Sequence, residues 1–155
     1  MGFDVYGNNP DIEIGEYFRA NIWWWHPLWD YCREVAPEIV QEVQHGHTND
    51  GDGLNAYLAT ELAEILKDKI DSGEVEAAVD IYNERLRNMP EVSCIACDGT
   101  GKRLSPPLIG AGGTPCDSCD SIGRKRPFET WYHFDKKTVQ EFADFLLHCG
   151  GFEIW

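Results

Sequence analysis

The sequence predicts an α+β fold: a helical, acidic domain whose termini meet in a small antiparallel sheet, with a four-cysteine zinc ribbon inserted into it. Three observations carry this. Apolar residues recur at helical spacing in the middle of the chain and again near its end, both termini alternate apolar with polar residues, and two C-x-x-C pairs lie between the helical stretches. The 155 residues, 43% of them hydrophobic, suit one core with a small satellite. The boundaries drawn are residues 1–91 with 127–155 for the domain and 92–126 for the inserted module.

Gly2-Phe3-Asp4-Val5-Tyr6 alternates and stops at Gly7-Asn8-Asn9-Pro10, which predicts a strand and a turn. Gly151 to Trp155 alternates in the same way. The aromatic run Thr130-Trp131-Tyr132-His133-Phe134 is the third candidate strand. In NIWWWHPLWDYC, Pro27 disfavours helical backbone at His26, so one helix is expected to end near Trp25 and another to begin at Pro27. Phe18, Ile22 and Trp25 form one stripe, and Leu28, Trp29 and Cys32 continue it past the bend. Successive helical residues point about 100° apart, so Trp23, Trp24 and Trp25 cannot all face one core. The stretch is read as core, with Trp23 and Trp24 as candidate partner-binding residues.

From Asp52 onward, Leu54, Leu58, Leu62, Ile65 and Leu66 predict a helix capped by Asp50 or Asp52. Gly73 ends it, and a second helix runs from about Glu74 to Asn88, completing a helical hairpin. Asp135 caps a further helix with Val139, Phe142, Phe145, Leu146 and Cys149 on one face, which makes Cys149 a core residue. Residues 104–115, LSPPLIGAGGTP, read as a turn-rich insert, and no repeat is evident beyond the paired cysteine motifs.

The formal charge is -14, with 19 acids against 6 bases in residues 1–91 and 8 against 7 in residues 92–155. Such a surface repels nucleic acid and anionic membranes and favours a protein partner with a basic surface. Glu61, Glu64, Asp68, Asp71, Glu74 and Glu76, spaced along the helical hairpin, are the candidate contacts. With neither a basic start nor an apolar stretch at the N-terminus, a cytoplasmic protein is expected.

Cys94 and Cys97 are separated by eighteen residues from Cys116 and Cys119. Four thiolates so spaced predict one tetrahedral zinc ion as a structural cofactor; disulfides, a redox pair or another soft metal are the competing uses. A site closed by four cysteines has no open position for catalysis. Lys102, Arg103, Arg124, Lys125 and Arg126 flank the pairs and can offset the charge of the thiolates. Cys94-Ile95-Ala96-Cys97-Asp98-Gly99-Thr100-Gly101 resembles the C-x-x-C-x-G-x-G knuckle of the DnaJ-type zinc-binding domain. The second knuckle departs from the pattern at Ser121 and keeps Gly123. The resemblance spans residues 92–126 and implies a zinc-clasped pair of hairpins used for protein contact; without the HPD tripeptide it does not imply work with Hsp70.

His45-Gly46-His47 with Asp50 superficially resembles the H-x-H-x-D-H signature of metallo-β-lactamase-like hydrolases, but Asn49 occupies the aspartate position. Pro115-Cys116-Asp117-Ser118-Cys119 matches half of a zinc deaminase signature whose H-x-E is missing. No catalytic residue is assigned. The chain ends, MGFDVYGNNP and CGGFEIW, resemble small phage and prophage proteins. With the acidity, that resemblance implies a non-enzymatic counter-defence inhibitor of the anti-CRISPR or anti-restriction kind, acting on a nucleic-acid-handling complex. Competing readings are a nucleic-acid-binding zinc-ribbon regulator and a small metal-dependent enzyme using His45 and His47.

Overall fold

The computed structural model describes residues 2–155. In chain order its elements are β1 (Gly2–Gly7), β2 (Tyr17–Asn21), α1 (Ile22–Val35), α2 (Pro37–Val40), α3 (Ala56–Asp71), α4 (Glu74–Asn88), β3 (Val92–Ser93), β4 (Lys102–Arg103), β5 (Thr114–Pro115), β6 (Arg124–Lys125), α5 (Lys136–His148) and β7 (Phe152–Ile154). The fold is α+β, as the periodicities predict. The chain divides into two units, Met1–Asn83 with Trp131–Trp155, and Glu84–Thr130.

In the first unit, strands order β2-β1-β7, all antiparallel. Alternation puts Phe3, Val5, Phe18, Ala20, Phe152 and Ile154 on the buried face, and the two termini are joined by a reciprocal pair of backbone bonds between Asp4 and Trp155, both 2.7 Å. The terminal sheet is therefore present, but its third strand is β2 and not Thr130–Phe134. Phe18 and Ala20 alternate over only five residues, too few to set apart from the helical stripe through Ile22. Residues Phe128–Trp131 instead form a 3-10 turn, and the rings beyond it pack on α1.

The predicted break at His26-Pro27 does not occur; α1 runs through Pro27. Asn21 caps it, its side chain accepting from the Trp23 N–H at 2.9 Å. Pro27 has no N–H to give the carbonyl four residues earlier, that of Trp23. The His133 N–H supplies the bond at 2.7 Å. Segment 131–134 thus spends its backbone on the proline-interrupted turn of α1 rather than on a sheet.

Trp25 and Trp29 are the largest fully buried side chains, and Phe3, Trp25 and Trp29 stack in succession at 5.2 and 5.5 Å. The Trp25 indole N–H donates to the Gly46 carbonyl at 2.7 Å, so its polar edge is satisfied inside the core. Trp23 and Trp24 are half-buried. The helix of residues 56–71 is capped by Asn55, which accepts from the Leu58 N–H at 3.0 Å; the expected caps do other work, Asp52 accepting from His45 and Gly53 and Asp50 from Thr48. Asp135 caps α5 as predicted, accepting from the Thr138 N–H at 2.7 Å, and Cys149 is fully buried. Helices α3 and α5 pack together, with Lys67 Nζ 2.7 Å from Asp144. Among the described residues, no helix is long and apolar enough to cross a membrane.

The second unit is built on a repeat that the sequence reading did not resolve beyond its cysteines. Adding 22 to a residue number carries Cys94 to Cys116, Cys97 to Cys119, Gly101 to Gly123 and Lys102 to Arg124. The hydrogen bonds obey the same relation. Strand β3 pairs with β6 and β5 with β4, Cys94 N–H donates to Gly123 O at 2.9 Å, and Cys116 N–H donates to Gly101 O at 3.0 Å. Two knuckles are interlocked, each closing the other. The insert 104–115 contributes a turn, in which the Leu108 N–H donates to Ser105 O at 3.1 Å, and the strand β5.

Candidate metal centre

Each knuckle begins with a strand, turns at a C-x-x-C across a short 3-10 segment, and leaves through a left-handed residue. Asp98 and Asp120 occupy that left-handed position, both at φ 49°. The next residues are Gly99 at φ 75° and Ser121 at φ 62°, so the departure of the second knuckle from the glycine pattern places a serine in backbone that glycine adopts without cost. At Gly101 and Gly123 there is no room for any side chain: a Cβ would stand 2.2 Å from the Ser121 and Gly99 carbonyl oxygens respectively. This close approach interlocks the knuckles and aims all four sulfurs inward.

The sulfurs of Cys94, Cys97, Cys116 and Cys119 lie within 4.8 Å of one another, and each residue is at most 5% exposed. A tetrahedral ion with metal–sulfur bonds of about 2.3 Å sets its sulfurs about 3.8 Å apart. The Cys94–Cys116 and Cys97–Cys119 separations are 3.9 and 3.8 Å, and all four cysteines are free of disulfides. The geometry fits a metal ion. Backbone N–H groups of Gly101 and Gly123 donate to the Cys97 and Cys119 sulfurs at 3.3 and 3.2 Å, partners that stabilise thiolate charge and fix ligand direction.

As free thiols these groups differ. Burial opposes ionisation of Cys94, but hydrogen bonds involving Ser118 and Cys119 bring it down to about 7; burial and the bonds of the cluster push Cys116 up to about 12. An ion entering the cluster would displace the protons of the thiols. Four thiolates and one divalent ion carry about two net negative charges. Of the flanking bases, Arg103 pairs with Asp117 at 2.9 Å, while Arg124 and Arg126 donate to the Glu91 and Leu86 carbonyls at 3.0 and 2.7 Å. Lys102 and Lys125 are exposed.

The buried apolar cluster of this unit consists of the four cysteines, with half-buried Ala96 against it. A module of this size without an apolar core of its own depends on a cross-link, which an ion held by the four sulfurs would supply.

The other candidate residues lie in the first unit. Trp23 packs against Trp131 and Tyr132, with centroids at 6.2 and 5.3 Å; Trp24 lies 4.4 Å from the His133 ring and donates its indole N–H to Asp135 at 3.0 Å. Glu64, Asp68 and Asp71 are exposed on α3, and Glu61 is half-buried. Glu74 pairs with Lys69 at 2.6 Å and Glu76 with Lys136, so these two acids are partly neutralised. His45 and His47 do not converge: His45 Nδ1 is 3.8 Å from Asp50, whereas His47 turns to Asp30 and His26. The spacing of 45 and 47 hid the true neighbour, because His26 is 21 residues away and no local pattern links them. Among the described residues, the one group of three or more His, Cys, Asp or Glu side chains with metal-binding geometry is the cysteine cluster.

Fold and site together define an α+β protein carrying a cluster of four cysteines that could hold a metal ion. Comparison with protein-family models, curated proteins and solved structures finds no match to the chain.

Proposed function

We propose that the protein is a non-enzymatic binding protein: the ion is zinc, held as a structural staple in a DnaJ-like knuckle pair, and the acidic unit engages a protein partner with a basic surface. The donor set supports zinc, since four thiolates at tetrahedral spacing suit a soft-to-borderline ion without geometric preference. The observation that carries the binding reading is the separation of charge. The first unit has 21 acids against 6 bases and the second has 6 against 7, so the whole excess of negative charge belongs to the unit without the metal. A field of that size steers basic partners and repels phosphates.

A basic protein surface of this kind is what nucleic-acid-handling complexes present. The acids at 64, 68 and 71 recur at helical spacing, as a row imitating phosphates requires, and the likeness of the chain ends to phage proteins supports a counter-defence inhibitor. The decisive experiment captures partners from a nuclease-treated host lysate at low and moderate salt, beside a Glu64→Lys, Asp68→Lys, Asp71→Lys variant. Capture of a basic complex that the folded, zinc-loaded variant loses is the expected result. Capture unchanged by charge reversal, or binding that returns only with intact nucleic acid, overturns the proposal.

A further inference from the structure

Three side chains of the first unit, remote in sequence from the cysteines, meet at one point. His26 and Asp30 stand one turn apart on α1 and so share a face. His47, from the loop after α2, reaches both: its Nε2 is 3.1 Å from Asp30 Oδ1 and its Nδ1 is 2.8 Å from His26 Nδ1. The carboxylate accepts from Nε2–H, which fixes the tautomer of His47 and leaves a lone pair on Nδ1. His26 is half-buried, edge-on against Phe3 at 5.3 Å. Two imidazoles thus face each other through like nitrogens, with a carboxylate behind one of them.

We infer that His26 and His47 hold a second transition-metal ion through their Nδ1 atoms, with Asp30 orienting His47. Neutral imidazole is the ligand that zinc, nickel and copper take, and a carboxylate on the far nitrogen is the usual support of a metal-bound histidine. On binding, the proton between the two Nδ1 atoms is lost to solvent and His26 takes one up at Nε2, a change of tautomer with no net release of protons. Bonds of about 2.0–2.1 Å in a tetrahedral site set the nitrogens about 3.3 Å apart, so the rings must separate by about 0.5 Å and each turn by about 35° to aim its lone pair at the ion. Two protein ligands leave coordination positions open, unlike the closed cysteine site. Asp30 and His47, though not His26, also line a pocket of about 650 Å³ with Trp29, Arg33, Val40 and Gln44. His45 is turned to Asp50 and contributes nothing.

The test is calorimetric titration of Zn²⁺ into protein whose cysteine site is already loaded, with imidazole nitrogen shifts followed by NMR. One further equivalent is expected, moving the Nδ1 resonances of His26 and His47. It should vanish in His26→Ala and His47→Ala, persist in His45→Ala, and weaken about 10–100-fold in Asp30→Asn. Circular dichroism and the retained first zinc report folding; should an alanine variant unfold, His47→Gln decides the point. Absence of a second equivalent in the unaltered protein, or one that survives the loss of either histidine in a folded variant, overturns the inference.

Discussion

At the scale of single residues, Ser121 is the clearest internal comparison that the molecule offers. Its counterpart in the repeat is Gly99, and both hold positive φ. A non-glycine residue there costs about 1 kcal/mol, so Ser121→Gly is expected to stabilise the zinc-bound second unit by about that amount in denaturant titrations. Gly123→Ala is expected to do the reverse and to lower zinc content, because its Cβ would collide with the Gly99 carbonyl. The four cysteines were legible in the sequence because ligand spacing is itself the signal. The pairing of His26 with His47 was not, since contact across 21 residues depends on how α1 and the following loop pack. Trp25, placed on the apolar stripe by helical geometry, is fully buried, and Trp23 and Trp24, set apart from it, are half-buried.

At the scale of elements, α3, α4, α5 and the terminal strands β1 and β7 were read correctly, whereas α1 was broken at Pro27 and β2 and segment 130–134 were misread. β2 was absorbed into a helical stripe, and segment 130–134 was taken for a strand on the β-propensity of its aromatics. Its backbone instead answers a carbonyl freed by Pro27, a debt visible only once α1 is known to be continuous. The cap of α3 was placed a few residues early, because any of Asp50, Asp52 and Asn55 has the right chemistry. Asn55→Ala should cost about 1 kcal/mol of stability, against less than about 0.5 kcal/mol for Asp50→Ala, in thermal or denaturant unfolding.

The cap of α5 carries a pH dependence. For Asp135, burial raises the pKa but is outweighed by the Thr138 N–H and the Trp24 indole, and the net shift is downward from 3.8. A carboxyl with a lowered folded-state pKa stabilises fully above its unfolded value and loses that contribution as pH falls through the folded one. Stability should therefore decline below about pH 3.8, and Asp135→Asn should flatten that part of the acid limb while lowering stability at neutral pH. An unchanged acid profile in that variant would contradict the assignment.

At the scale of the whole molecule, the two units rest on different physics. The first buries aromatic and aliphatic side chains from every one of its helices and from its sheet, whereas the buried cluster of the second is four sulfurs. Composition announced the acidity, but only the division of the chain shows that the negative excess resides entirely in the first unit. The most direct test of this account is hydrogen exchange read by mass spectrometry before and after removal of zinc with a strong chelator, with the metal released counted per chain. Release of one zinc with collapse of protection in residues 84–130, while residues 2–83 and 131–155 stay protected, is the result predicted. A chain that carries no zinc, or that keeps its protection in residues 84–130 once zinc has gone, would contradict the structural staple.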